Sequence, residues 1–166
     1  RSDVGVRTQE GMDDKSVGVL DGAKLPEEIR ILENGIHFGV NVVSGQKTGM
    51  FLDQRENRKA LQKYVSGKSV LNCFCYTAGF SVYAALAGAT KTVNVDVSGA
   101  ALETAKRNFE RNSLPLKNHE FLDKDVFTAL EEFEKAKKKF DVIILDPPAF
   151  VKNQKSLTKG LSGYLF

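Results

Sequence analysis

Hydrophobic positions along the chain change their spacing several times, and each change marks a boundary. Between Glu28 and Val43 they fall on every second residue: Ile29 and Ile31, then Ile36, Phe38, Val40 and Val42, with Asn34-Gly35 between the two runs. A period of two belongs to a half-buried strand, and an Asn-Gly pair between two such runs predicts a β-hairpin. His37 falls on the polar face of the second strand and reads as a solvated strand residue, not a general base. Past a glycine-rich loop, Ser44 to Gly49, a helix is predicted to about Val65, with Ala60, Leu61, Tyr64 and Val65 as its buried stripe. Asp53 reads as its N-cap, with Glu56 three residues on completing a capping box.

Apolar runs then alternate with amphipathic ones. A strand begins at Val70, further strands cover Thr92 to Val97 and His119 to Leu122, and a fourth, Asp141 to Leu145, is apolar almost throughout, as a strand buried on both faces should be. Between them a helix runs from Gly79 to about Leu86 and closes at Gly88. A second is capped by Ser98, buries Ala101, Leu102, Ala105 and Phe109, and stops at Asn112 to Pro115. A third is capped by Asp125, with Val126, Phe127, Leu130 and Phe133 facing in. Strands alternating with helices predict an α/β fold built on a parallel, doubly wound sheet with right-handed crossovers. Residues 1 to about 26 carry scattered glycines and predict only short, edge-like strands.

Composition narrows the class. At 166 residues, with 42% hydrophobic and 27% charged residues, the chain matches a soluble domain with a small appendage. Its apolar runs fall far short of the ~20 residues that cross a bilayer, and no signal-peptide pattern opens it, so no membrane partner and a cytoplasmic location are expected. Two cysteines are too few for a disulfide framework or a zinc site, and no metal is expected. A net charge of +3 permits a nucleic-acid partner without demanding one. The cluster Lys135, Lys137, Lys138 and Lys139 reads as a solvated last helical turn complementing the helix dipole.

Candidate chemistry gathers at the carboxyl ends of the predicted strands, where open parallel sheets hold their ligands. The first turn, Cys75 to Gly79, lacks a G-x-G-x-x-G spacing, so it suits a ligand with an adenosine and an amino-acid tail better than a pyrophosphate. Asp96, roughly 20 residues on, is placed to accept hydrogen bonds from ribose hydroxyls. Asp125 reads equally as a partner for an adenine amino group and as a plain N-cap. Asp146 precedes Pro147 and Pro148, which fix φ and remove two N–H donors, leaving a rigid platform for a planar ligand. Arg55 sits in a first helical turn, where a cation is slightly unfavourable, and reads either as an anion ligand or as a surface arginine. Cys73 and Cys75 read as small packed hydrophobes, with Cys75 near the pocket, not as nucleophiles.

Five segments carry a resemblance: Arg1-Ser2-Asp3; Gly45-Gln46-Lys47-Thr48-Gly49 running into Phe51-Leu52-Asp53-Gln54-Arg55; Val70 to Phe80; Asp125-Val126-Phe127; and Phe140 to Val151. Together they cover almost the whole chain, and it resembles the class I S-adenosylmethionine-dependent methyltransferases that act on cytosine C5 of bacterial large-subunit ribosomal RNA. The resemblance implies a Rossmann-like methyltransferase sheet, strands one to four, preceded by a small β-hairpin region, with domains at 1–53 and 54–166. It implies S-adenosylmethionine as cofactor, large-subunit ribosomal RNA as partner, and a second copy of the chain as a further candidate partner. Cys75, Tyr76, Thr77 and Gly79 would surround the methionine part, Asp96 with Val97 the ribose, and Asp125 with Val126 the adenine. Phe51 and Arg55 would reach across the cofactor. Asp146, also counted with the cofactor, would hold the target base with Pro147, Pro148 and Phe150. The family usually has glycine where this chain has Ala78.

In this family a cysteine thiolate after a fifth strand attacks C6 of the pyrimidine so that C5 becomes nucleophilic. The chain ends at Phe166, before such a strand, so no catalytic residue is expected within it. The upstream PUA-like domain and strands five to seven are not expected either. The fourth strand would then be an exposed apolar edge, and the chain a cofactor-binding portion that is incomplete as an enzyme. The alternatives are methylation of guanine at N7 or N2, and a fragment that only binds cofactor or RNA. An aromatic directly after the two prolines is common in amino-group methylases, and Ala149 at that position weighs against that alternative.

Overall fold

The computed structural model describes residues 21–46 and 48–149. The predicted edge strands in residues 1–20, Lys47, Phe150 and all that follows lie outside them. The chain divides into two compact units, Arg1–Glu56 and Asn57–Phe166.

In the first unit β1 (Ile29–Glu33) pairs antiparallel with β2 (Ile36–Val40), Ile31 opposite Phe38. Asn34 and Gly35 both take positive φ, 50° and 81°, which a two-residue hairpin turn requires. Ile36, Phe38 and Val40 are buried and His37 is exposed, as the alternation predicts. The strand does not continue to Val42. Asn41 Oδ1 accepts the N–H groups of Val43 (3.0 Å) and Ser44 (2.8 Å), and this side-chain turn ends the pairing. Gly49 then passes so close that a Cβ there would sit 2.6 Å from the Asn41 carbonyl oxygen.

The capping box at Asp53 does not form. Leu52–Gln54 is a 3₁₀ turn whose preceding residue, Phe51, makes no side-chain cap, and Asp53 lies inside that turn. Helix α1 spans only Arg55–Leu61, and Gln62–Tyr64 is again 3₁₀. The change of helix type rotates the buried face: Val65 is covered as expected, but Tyr64 is 67% exposed, Ala60 is exposed, and Arg58 is buried at 3%.

The second unit continues with β3 (Ser69–Cys73), α2 (Gly79–Leu86), β4 (Lys91–Asp96), α3 (Gly99–Arg111), β5 (His119–Asp123), α4 (Val126–Lys135) and β6 (Val142–Leu145). The strands form one parallel sheet in the order β5-β4-β3-β6, with Leu71 opposite both Val93 and Ile143. Chain order therefore runs outward from β3 to β5 and returns to the other side of β3, which opens a crevice at the carboxyl ends.

Both faces of the sheet are packed. Leu71, Cys73, Val93 and Val95 meet Val126 and Ala129 of α4, with Phe133 and Phe140 at the margin. Val70 and Ala84 pack with Val65 on a second cluster that includes Val142 and Ile144. The stripe of α3 is the predicted one, Ala101, Leu102, Ala105 and Phe109, joined by Asn108. Burying a side chain such as Phe109 is worth about 1.5–3 kcal/mol, so this stripe dominates the docking of α3.

Lys138 lies 4.8 Å from the Phe133 ring centroid and 5.5 Å from that of Phe140, with Glu120 Oε2 3.3 Å away, so one lysine of the cluster clamps α4 to β5. At the sheet edge β6 is covered on one side only. Ile143 and Leu145 are 58% and 62% exposed, which corrects the expectation of a strand buried on both faces and matches that of an exposed apolar edge.

Candidate functional site

Between β3 and α2 the backbone takes the left-handed conformation at alternate residues, Phe74 (φ 55°), Tyr76 (φ 50°) and Ala78 (φ 55°). Each such residue with a Cβ costs about 1–2 kcal/mol, so the loop holds this shape only because its surroundings fix it. The Cys75 N–H donates to the Val95 carbonyl (3.0 Å), Ala78 N–H to the Cys75 carbonyl (2.8 Å), and Asn108 Nδ2 to the Thr77 carbonyl (3.2 Å). The Tyr76 N–H donates to Asp96 Oδ2 at 2.7 Å.

Asp96 is the knot of the site. Its other oxygen, Oδ1, accepts the Ser98 N–H (2.9 Å), and its carbonyl accepts the Lys124 N–H (3.1 Å). One residue thus joins the β3 loop, the start of α3 and the turn after β5. Asp96 caps the following turn as well: Ser98 Oγ accepts from Ala101 N–H at 3.3 Å, while Asp96 caps Ser98 itself. A carboxylate has about four lone-pair positions, so two remain for ligand hydroxyls. Val97 beside it is exposed.

Asp125 caps α4, its Oδ1 accepting Thr128 N–H at 3.0 Å. The cap uses one oxygen, and Oδ2 is not required for it. Val126 is buried beneath α4 as a core residue. Tyr76 and Thr77 are half-buried, whereas Cys73 and Cys75 are buried. Burial pushes the Cys73 thiol up to about 11, and burial together with the Asp96 charge pushes Cys75 well above its ordinary value. Neither is a thiolate at neutral pH, which agrees with their reading as packed hydrophobes.

What a Cβ would meet at Gly79 is the side chain of Arg58, Cδ at 3.2 Å and a guanidinium nitrogen at 4.0 Å. Asp146, Pro148 and Ala149 follow β6 as exposed, non-helical chain, with Pro147 half-buried. The remaining base-holding candidate, Phe150, lies outside the described residues. Phe51 and Arg55 belong to the first unit. There Phe51 is half-buried and precedes the 3₁₀ turn, and exposed Arg55 Nε lies 2.9 Å from Glu56 Oε1.

Comparison with known proteins decides the family. A model of the S-adenosylmethionine-dependent methyltransferases matches residues 6–165. The chain belongs to that family. It is 51% identical to ribosomal RNA large subunit methyltransferase I of Photobacterium profundum over 99% of this chain and 41% of the relative. The protein of the same name from Aliivibrio fischeri, strain ATCC 700601 / ES114, is 49% identical over the same shares. Among solved structures, a methyltransferase complexed with SAH, SMU.776, superposes with a TM-score of 0.75 at 42% identity, covering 82% of this chain and 36% of its own. The chain thus spans about 41% of the length of the curated relatives it matches.

S-adenosylmethionine is the cofactor of this methyltransferase family, and the residues present suit it. Carboxylates at the tips of β4 and after β5 would repel a pyrophosphate but accept the hydroxyls and amino group of an adenosine. No helix among the described residues is long and apolar enough to cross a membrane.

The residues missed by sequence reading are Arg58 and a buried polar row on the α2 and α3 side of the methyltransferase sheet. In that row Asn72 Nδ2 donates to Ser81 Oγ (2.8 Å), Asn94 Nδ2 to Thr92 Oγ1 (3.1 Å), and Thr92 Oγ1 shares a hydrogen bond with His119 Nδ1 (2.9 Å). The available signal was an asparagine inside each of two apolar strands, and these two stand opposite each other in register.

Proposed function

We propose that the full-length protein transfers a methyl group from S-adenosylmethionine to C5 of a cytosine in large-subunit ribosomal RNA. The observation that carries the reading is the tie between Asp96 and the 74–78 loop, at the strand ends where a parallel sheet receives an adenosine, in a chain half identical to methyltransferases named for large-subunit RNA. When bound, the cofactor supplies an electrophilic methyl on its sulfonium.

The chain's own residues do the holding. Asp96, with Val97 alongside, takes the ribose hydroxyls, and Asp125 with Val126 takes the adenine edge. Cys75, Tyr76, Thr77 and Gly79 line the amino-acid end. Asp146, Pro147, Pro148 and Phe150 seat the base. Cytosine is favoured over an amino-group target because Ala149, not an aromatic, follows the two prolines. Attack on C6 needs a thiolate, and the high-pKa, buried Cys73 and Cys75 leave that role to a part of the protein outside this chain. A cytoplasmic location follows from ribosomal RNA as substrate.

The test is to incubate full-length protein with methyl-labelled cofactor and unmodified ribosomal RNA, digest the RNA and identify the labelled nucleoside. Label in 5-methylcytosine is expected; label in a methylguanine overturns the base assignment, and no transfer overturns the activity.

A further inference from the structure

Asn108 is a fully buried amide on the otherwise apolar stripe of α3, beside Ala105 and Phe109. A buried amide persists where its hydrogen bonds are met, and one partner of this one can only donate. Arg111 Nη1 donates to Asn108 Oδ1 at 3.0 Å, which turns Nδ2 towards the β3 loop, where it donates to the Thr77 carbonyl at 3.2 Å. From there the hydrogen bonds continue in one sense. The Thr77 carbonyl and the Ala78 N–H are the two ends of one planar peptide group, and the Ala78 N–H donates to the Cys75 carbonyl at 2.8 Å. The Cys75 carbonyl and the Tyr76 N–H are the ends of another, and the Tyr76 N–H donates to Asp96 Oδ2 at 2.7 Å. Three amide groups thus stand head to tail between a guanidinium and a carboxylate. Each accepts at its oxygen from the cationic side and donates at its nitrogen towards the anionic side, an alignment in which every bond polarises the next.

We propose that Asn108 is a positioning residue for the cofactor: through this relay it fixes the Oδ2 side of Asp96, so that the carboxylate's remaining lone pairs point at the ribose hydroxyls. This deepens the functional reading above and rests on it. Asp96 accepts Tyr76 N–H at one oxygen and Ser98 N–H at the other, and a carboxylate held at both oxygens keeps its two further lone pairs in fixed directions. Ser98 caps the start of α3 and Asn108 lies in its third turn. One helix therefore orients both oxygens, Oδ1 directly and Oδ2 by way of the loop. An acceptor held in place before binding loses no freedom when the ligand arrives. Because Asn108 acts through Asp96, its effect falls on discrimination for a ribose hydroxyl and not on affinity alone.

The experiment measures, by calorimetry on full-length protein, the binding of S-adenosylhomocysteine and of its 2′-deoxy counterpart, which differ by one ribose hydroxyl. Wild type should favour the hydroxylated ligand by about tenfold or more, as a hydrogen bond to a charged acceptor does. Asn108→Asp keeps the shape and the acceptor for Arg111 but sets an oxygen against the Thr77 carbonyl, and it should cut that preference by about threefold or more. Asn112→Ala removes a neighbouring bond of α3 outside the relay, Asn112 Nδ2 to the Asn108 carbonyl at 2.7 Å, and should leave the preference unchanged. Crossing a ligand change with a protein change isolates the coupling, since a purely structural loss weakens both ligands alike. An unchanged preference in Asn108→Asp overturns the proposal, and so does an equal cut by Asn112→Ala. If Asn108→Asp fails to fold, Asn108→Leu decides by the same ratio, and failure of both to fold reduces Asn108 to a folding role and overturns the proposal. Wild type that binds both ligands equally overturns the assignment of Asp96 to the ribose, and wild type that binds neither overturns the cofactor reading beneath it; both results are distinct from failure of the relay.

Discussion

Asp96 accepts N–H groups from Tyr76 and Ser98 with its two oxygens, so turning one oxygen into an amide must leave one of those donors facing a donor. Asp96→Asn is expected to cost about 1–3 kcal/mol of stability, to loosen the 74–78 loop, and to weaken S-adenosylhomocysteine binding at least tenfold; a melting curve and a titration on the same preparation check both. Ala78 combines left-handed backbone with a fully buried methyl. Left-handed backbone costs an alanine about 1–2 kcal/mol, of which its fully buried methyl returns about 0.8 kcal/mol. The place of Asp96 at the tip of β4 was legible because the apolar run ends there. Arg58 was not: burial of an arginine is set by the 3₁₀ breaks on either side of α1, which periodicity does not register.

Elements with a single dominant signal were read closely. The hairpin follows from Asn34-Gly35 between alternating runs, and α3 from Ser98 followed by a 3.6-residue stripe ending at Phe109. The α1 region failed because Asp53 and Glu56 satisfy a capping pattern while the loop before them imposes its own path. Gly49 helps set that path with φ +85° and the Asn41 carbonyl against it. Gly49→Ala is therefore expected to lower stability by more than about 2 kcal/mol, whereas Gly35→Ala, at φ +81° but with open space around it, should cost only about 1 kcal/mol. Thermal melts of the two variants check the difference, and equal losses would remove the role given to the Asn41 contact.

For the molecule as a whole, acid is the informative perturbation. Burial lowers the His119 pKa below its ordinary 6.5, so the native state favours neutral imidazole while the unfolded chain binds the proton more readily. Its stability contribution is complete above about pH 6.5 and is lost as pH falls towards the lowered native value. Glu120, held below its ordinary 4.5 first by its hydrogen bond to Lys91, adds a second loss only below that pH. Tm should fall between pH 7 and pH 5, and His119→Asn should flatten that decline; a variant as steep as wild type would place the titration elsewhere. The α/β class and strand succession were legible from alternation, but the buried polar row was not, because pairing of Asn72 with Asn94 exists only once the register is set. The seam between β3 and β6 carries a further consequence. Asp141 accepts both the N–H (2.8 Å) and the hydroxyl (2.7 Å) of Ser69 across 72 positions of chain. Closing that span costs about 4 kcal/mol of chain entropy before any contact repays it. The seam should accordingly be the slow step when the sheet assembles and the first to part when it is strained, so protease nicking under mild denaturant belongs at the β6 margin before it reaches the β4 centre.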